Sequence, residues 1–257
     1  MMWVRKASKM ARSEKVTGMA REMHQPYYDI SAPAAIAERN KRVYFRTKRL
    51  MDIILSVVLL IFLFPIFLLI VLLIKLDSPG PVIFAQERMG YDWRSRKQRA
   101  FIFYKFRSML HNCDQSVHQE YVKGRIRGRK GAKSSSNDGK LAKLTNDRRV
   151  TRVGRILRKT SLDELPQLWN VLRGEMSLVG PRPVPLYEVA EYETWHKQRL
   201  EATPGITGLW QVKGRGRATL DEMARLDIEY VSRQSLWLDL GILLLTIPAV
   251  ISGRGSA

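Results

Sequence analysis

Hydrophobic and polar positions divide this chain around one uncharged run, Ile53 to Ile74, interrupted only by Ser56 and Pro65. A polar, basic leader precedes it and a basic body with sparse motifs follows. At about 1.5 Å per residue, a helix over this run just reaches across the roughly 30 Å hydrocarbon core of a bilayer. The run starts too far from Met1 for a signal peptide, and no small-residue cleavage site follows it. Lys41, Arg42, Arg46, Lys48 and Arg49 stand before it; Lys75, Arg88, Arg94, Arg96, Lys97 and Arg99 stand after it. The positive-inside rule favours the cytoplasm for both flanks. A helix that enters, breaks at Pro65 and leaves by the same face satisfies both, since proline lacks the N–H and clashes with the preceding turn. A single spanning helix kinked at Pro65 stays open on this pattern alone. Lys48 and Arg49 are expected at head-group level, as interfacial anchors, with Asp52 paired to one of them.

The remaining pattern predicts shorter elements. Residues 1–42 read as a weakly ordered polar extension, and the membrane helix as about 50–75. Asp77-Ser78-Pro79-Gly80-Pro81 is a turn cluster. Val82–Gln86 and Ala100–Phe106 read as strands, the second rich in aromatics that fill a core or an interface. Gly124–Lys140 crowds Arg125, Arg127, Arg129, Lys130 and Lys133 against a Ser-Asn-Asp-Gly stretch, and reads as a flexible basic insertion. Leu165, Leu168, Trp169 and Leu172 recur at i, i+3, i+4 and i+7, predicting an amphipathic helix that stops near Gly174. Thr219-x-x-Glu222 caps another helix. Trp237–Ile251 is apolar but holds Asp239 and Pro248, which suits an interfacial or packing helix rather than a span. The predicted class is a mainly helical α/β, membrane-associated domain.

Charge narrows the partners. Lys and Arg number 44 against 24 acidic residues, a formal +20. Anionic lipid head groups, nucleic acid or a phosphorylated substrate fit that balance. Cys113 is the only cysteine, so no intramolecular disulfide forms, and the scattered His24, His111, His118 and His196 show no zinc spacing.

Asp163-Glu164 is the candidate for chemistry. A capping box at Ser161-x-x-Glu164, with acids in a first turn, explains the same residues without catalysis. Pro166 weakens that alternative. Pro181-Arg182-Pro183-Val184-Pro185 fixes its backbone and aims Arg182, which suits phosphate or carboxylate, or else an extended linker. Thr203 to Arg217 is Gly-rich, but lacks the spacing of a Walker A loop or a dinucleotide fingerprint.

Several of these stretches together resemble the bacterial sugar transferase family, the polyisoprenyl-phosphate hexose-1-phosphate transferases or monotopic phosphoglycosyl transferases. They are Lys48-Arg49-x-x-Asp52, Tyr104-Lys105-Phe106-Arg107-Ser108-Met109, Ser161-Leu162-Asp163-Glu164-Leu165-Pro166-Gln167, Ser177–Pro183 and Pro204-Gly205-Ile206-Thr207-Gly208. The likeness covers residues 43–257, in the family's order. It implies a re-entrant helix broken at Pro65 and a place on the cytoplasmic face of the bacterial inner membrane. It also implies transfer of a sugar 1-phosphate from a UDP-sugar to undecaprenyl phosphate, releasing UMP and initiating a bacterial glycan. By similarity Asp163 is the nucleophile, and Glu164, with Asp163, holds Mg2+. Arg158, Arg182, Pro181, Pro183, Lys105, Asp227 and Gln211 fall where the family binds phosphates and nucleotide. Membrane lipids are further partners, nucleic acid is not one, and a homodimer is left open. A carboxylate forms a mixed anhydride with phosphate, and cations neutralise the approach of anion to anion. The sequence departs from the family where Arg148 follows Asn146-Asp147 in place of proline, and in the length of the Gly124–Lys140 insertion.

Two other classes remain as rivals. One is a non-catalytic basic scaffold on anionic lipid; the other is a membrane-tethered nucleic-acid binder, which lacks a recognised motif.

Overall fold

The computed structural model describes residues 34–113, 147, 149–214 and 218–251. The chain divides into Met1–Lys41 and Arg42–Ala257. In the first unit only a helical backbone from Ala34 is described, so the expected weakly ordered extension is corrected at its end: residues 34–42 are helical. The basic insertion at Gly124–Lys140 lies outside the described residues.

Helix α1 runs Ala34–Asp77, longer than the expected 50–75. No glycine or proline occurs between Ala34 and Pro65, so nothing in that stretch stops a helix from extending back from the apolar run. Pro65 lies inside the helix, and no interruption marks it; a proline removes one ladder bond without ending a helix whose neighbours hold. From Asp52 onward one stripe faces the body: Asp52, Ser56, Leu60, Leu63, Phe67, Ile70 and Ile74 recur every three or four residues and are buried or half-buried. The other faces are bare, with Ile61, Phe62 and Leu76 each over 70% exposed (73%, 76% and 75%). By length and composition this helix is long enough to cross a membrane.

Both ends of that stripe are fastened to the same body. Near the start, Asp239 accepts from Lys48 Nζ at 2.9 Å, Tyr44 OH at 2.9 Å and Tyr230 OH at 2.7 Å. Asp52 Oδ1 accepts from the Leu178 N–H at 3.0 Å. At the far end, Ile70 and Ile74 pack with Phe106 and Leu157. Arg107 donates to the Ser78 and Pro79 carbonyls at 2.6 Å each, a cation placed where the helix leaves carbonyls unpaired.

The head-group role expected for Lys48, Arg49 and Asp52 is therefore corrected. Lys48 and Asp52 are only 6% and 3% exposed. Arg49 donates to the carbonyls of Val171 and Leu172. Asp52 takes a backbone N–H in place of a cation, because Lys48 is already committed to the fully buried Asp239.

Strands β1 (Ile83–Asp92) and β2 (Lys97–Phe106) form a full antiparallel hairpin, Ile83 opposite Phe106 and Asp92 opposite Lys97. Both exceed their expected lengths because the in–out alternation of β1 continues past Gln86. Helix α2 (Arg152–Thr160) leads into a 3-10 turn, Leu162–Glu164, then α3 (Gln167–Arg173) and β3 (Ser177–Val179). Strand β4 (Val184–Pro185) pairs with β1, giving the order β2-β1-β4; the short helix α4 (Leu186–Val189) follows it, then a second 3-10 turn, His196–Leu200. Strand β5 (Gly205–Thr207) runs parallel to β3. A Cβ on Gly205 would stand 2.0 Å from the Gly180 nitrogen, so the glycines here serve close backbone approach. The main core joins Phe101, Phe103, Leu168, Val171, Leu178 and Val179.

The helix expected from Leu165 to Leu172 is split. Pro166 stands at the N-cap of α3, and the 3-10 turn before it shifts the helical phase. Trp169 is consequently 54% exposed, and the buried face is Gln167, Leu168, Asn170 and Val171. Helices α5 (Leu209–Lys213), α6 (Leu220–Arg233) and α7 (Leu236–Ile251) complete the body. The capping box at Thr219 and Glu222 is formed as expected. Helix α7 buries Asp239 and Ile242 and exposes Trp237, Leu244 and Ile247.

Candidate active site

Asp163 and Glu164 occupy the 3-10 turn between α2 and α3. Thr151 caps α2, accepting from the Gly154 N–H at 2.9 Å. A Cβ on Gly154 would meet the Ser108 carbonyl at 2.0 Å, so α2 lies directly against the end of the β2 segment. Ser161 ends α2 in the left-handed region, φ 59°, and makes no side-chain cap to the turn. The Ser161–Glu164 capping box is thus absent. A residue that has turned left-handed to end one helix cannot also present extended backbone to start the next.

This turn opens on a groove of about 1120 Å³. Lys105 from β2, Arg158 from α2, and Arg182 from the segment between β3 and β4 share its wall with Asp163 and Glu164. Asp163 is 8% exposed. Arg182 Nη1 donates to Glu164 Oε1 at 3.2 Å. Desolvation, and then the adjacent Glu164 carboxylate, push Asp163 up to about 6, against the pull of Lys105, Arg182 and Arg158. Desolvation likewise brings Lys105 down to about 8, although Asp163 favours its charged form. The groove thus holds a desolvated carboxylate beside cations, the arrangement needed to deliver an anionic nucleophile to a phosphate.

Part of its lining is apolar. Leu59 and Leu63 of α1 contribute to it, with Leu243 and Val250 of α7 and Trp210 of α5. A polar, cationic part and an apolar part shared with the long helix suit a substrate with a charged head and a hydrocarbon tail.

A family model described as bacterial sugar transferase matches residues 43–253. The chain belongs to the bacterial sugar transferase family. Membership makes it a transferase. It is 40% identical over 210 residues to a galactosyl transferase, CpsE, of Streptococcus agalactiae, covering 81% of this chain and 43% of that protein. It is also 40% identical to the exopolysaccharide production protein ExoY of Sinorhizobium fredii, covering 82% of this chain and 88% of ExoY. With an undecaprenyl-phosphate glucose phosphotransferase of Komagataeibacter xylinus the identity is 41%, over 81% of this chain and 36% of that protein. The sugar transferase thus spans less than half of the first and third of these relatives and most of ExoY.

The residues predicted from sequence fall into three groups. Lys105, Arg158, Asp163, Glu164, Arg182, Pro183 and Gln211 line the groove. Pro181 and Asp227 lie behind it: the Pro181 carbonyl accepts from Gly205 N–H at 2.8 Å, and Asp227, with no exposed surface, accepts from Arg199 Nε at 3.0 Å. Asp227 also stands near the Arg182 backbone. Lys48, Arg49 and Asp52 are outside the groove, in the contacts described above.

Sequence reading missed Arg88, Leu59 and Leu63 as groove residues. Arg88 passed as a flanking cation, and its place in a β strand facing the groove was the missing signal. Nothing distinguished Leu59 and Leu63 from their equally apolar neighbours.

Among the described residues, no three of His, Cys, Asp and Glu converge. Asp163 and Glu164 stand alone as carboxylates at the turn, which fits Mg2+, an ion that takes one or two carboxylates and draws its remaining ligands from phosphate and water.

Proposed function

We propose that this sugar transferase moves a sugar 1-phosphate from a UDP-sugar to undecaprenyl phosphate in two displacements at Asp163, initiating exopolysaccharide or capsule synthesis. The observation that carries the reading is Asp163 itself: a desolvated carboxylate beside cations, in a groove that the long apolar helix also lines. In the first step an Asp163 carboxylate oxygen attacks the sugar-bearing phosphorus. The bond from that phosphorus to the UMP phosphate breaks, and UMP leaves. In the second, an oxygen of undecaprenyl phosphate attacks the same phosphorus, and the Asp163 carboxylate departs as undecaprenyl-diphosphate-sugar forms. Arg182, Arg158 and Lys105 offset the charge of anion meeting anion. Bound Mg2+, held by Glu164 and Asp163, would supply further neutralisation of the diphosphate. The names of relatives support lipid-linked sugar transfer, with galactosyl transfer in one and glucose in another.

The same proposal places α1 in the membrane as a re-entrant element on the cytoplasmic face. Lys48 and Asp52, and Ile70 and Ile74 further along the same helix, are bound to one body, which supports keeping both basic flanks of the apolar run on one side of the bilayer. The bare faces of α1 and α7 are the surfaces that lipid would cover.

The test is UMP release from a panel of UDP-sugars with undecaprenyl phosphate and Mg2+, for wild type and Asp163→Asn. Release with one sugar, lost in the variant, is the expected result. Release that survives the substitution removes Asp163 as nucleophile. No release from folded, membrane-bound protein with any donor returns the chain to the scaffold reading.

A further inference from the structure

The groove is lined by more guanidinium groups than its carboxylates pair, and Arg88 is one of those left without a carboxylate partner. Arg88, on β1, lines it beside Arg182. Its Nη1 donates to the Pro183 carbonyl at 2.6 Å and its Nη2 to Gln86 Oε1 at 2.9 Å, and the guanidinium carbon lies 4.6 Å from the Phe103 ring centroid. The partners are a carbonyl, an amide and a ring, all uncharged. Nε is buried without a partner.

The acids nearby favour its charge from a distance without pairing to it: Glu164 is bound to Arg182, and Glu188 accepts from the Tyr192 hydroxyl at 2.6 Å. None of the described carboxylates forms an ion pair with Arg88. Desolvation, and then Arg182, push its guanidinium down to about 10, and Arg88 in turn disfavours the charge on Lys105. A cation taken out of water without a paired counter-ion is held at a loss that a bound anion would recover.

We propose that Arg88 is a further cation of the diphosphate cradle, its charge left by the folded protein for the donor nucleotide to neutralise. The inference rests on the UDP-sugar reading above. Arg88 also holds Pro183, and so acts on the direction of Arg182, but that second task needs only a donor and not a charge.

The two tasks separate in binding and melting of the full chain in detergent or nanodiscs, with UDP as probe and with Arg88→Gln and Arg88→Lys compared. Arg88→Gln should weaken UDP binding by about tenfold or more while the ligand-free melting midpoint holds or rises. Arg88→Lys, which keeps the charge and loses the fork, should recover most of that affinity. If both variants melt earlier without ligand and bind UDP equally weakly, Arg88 is a structural strut and the inference fails. It fails also if Arg88→Gln binds UDP as wild type does. Wild type that binds no UDP overturns the donor reading, and this inference with it.

Discussion

Two clusters of charge lie in this molecule with opposite histories. Beside the first half of α1, Asp239 is fully buried, yet it collects hydrogen bonds from Lys48, Tyr44 and Tyr230. At the groove, Asp163 is almost as buried but stands next to another carboxylate, and Arg88 stands next to another guanidinium. Burial is common to both; satisfaction is not. A buried charge with its partners in place holds helices together, whereas one left short of partners waits for a ligand.

The sharpest way to break that contrast is to neutralise one carboxylate in each cluster. Asp163→Asn should cut UMP release by about a thousandfold or more, as loss of a nucleophile does. Its melting midpoint should hold or rise, because a repelled, desolvated carboxylate is gone. Asp239→Asn should do the reverse. It strands Lys48, at a cost of about 3–5 kcal/mol, visible as a fall in melting midpoint while turnover per folded molecule is kept. Equal losses of stability in both variants would dissolve the distinction.

The pH dependence of kcat/KM sharpens it further, since that profile reports the free enzyme. As the proposed nucleophile Asp163 would attack only when deprotonated, so activity should fall as pH drops through about 6. In the same proposal Lys105 would hold phosphate only when protonated, so activity should fall again as pH rises through about 8. In Lys105→Arg the upper limb should move to higher pH while the lower one stays on the acid side. A flat profile from pH 5 to 9 would mean that neither group governs activity by titrating in the free enzyme. The smallest effect belongs to neither cluster: Thr219→Ala removes an exposed cap and should cost about 1 kcal/mol, with turnover unchanged.

Local pattern carried a good part of this. The apolar run, the Thr219 cap, the stop at Gly174 and the apolar helix near the C-terminus were legible because each depends on residues within a few positions of one another. The Ser161 cap was misread for the same reason: its four-residue pattern is genuine, but Ser161 is used to end α2. Trp169 failed because a 3-10 turn changed the phase that periodicity assumes to be constant.

By itself, then, the sequence determined that a basic chain carries one membrane-length helix, and that an adjacent Asp-Glu pair precedes an amphipathic segment. Those are properties of composition and short spacing. Only the tertiary structure decided that Lys48 turns inward to Asp239, that Asp227 pairs with Arg199, and that Arg88 joins Lys105 and Arg182 at one groove. The two ion pairs join residues 191 and 28 positions apart, and whether a charge ends paired or short of partners depends on what the whole chain brings to it. Desolvation and Coulomb energy depend on distance in space, and chain order does not reveal that distance.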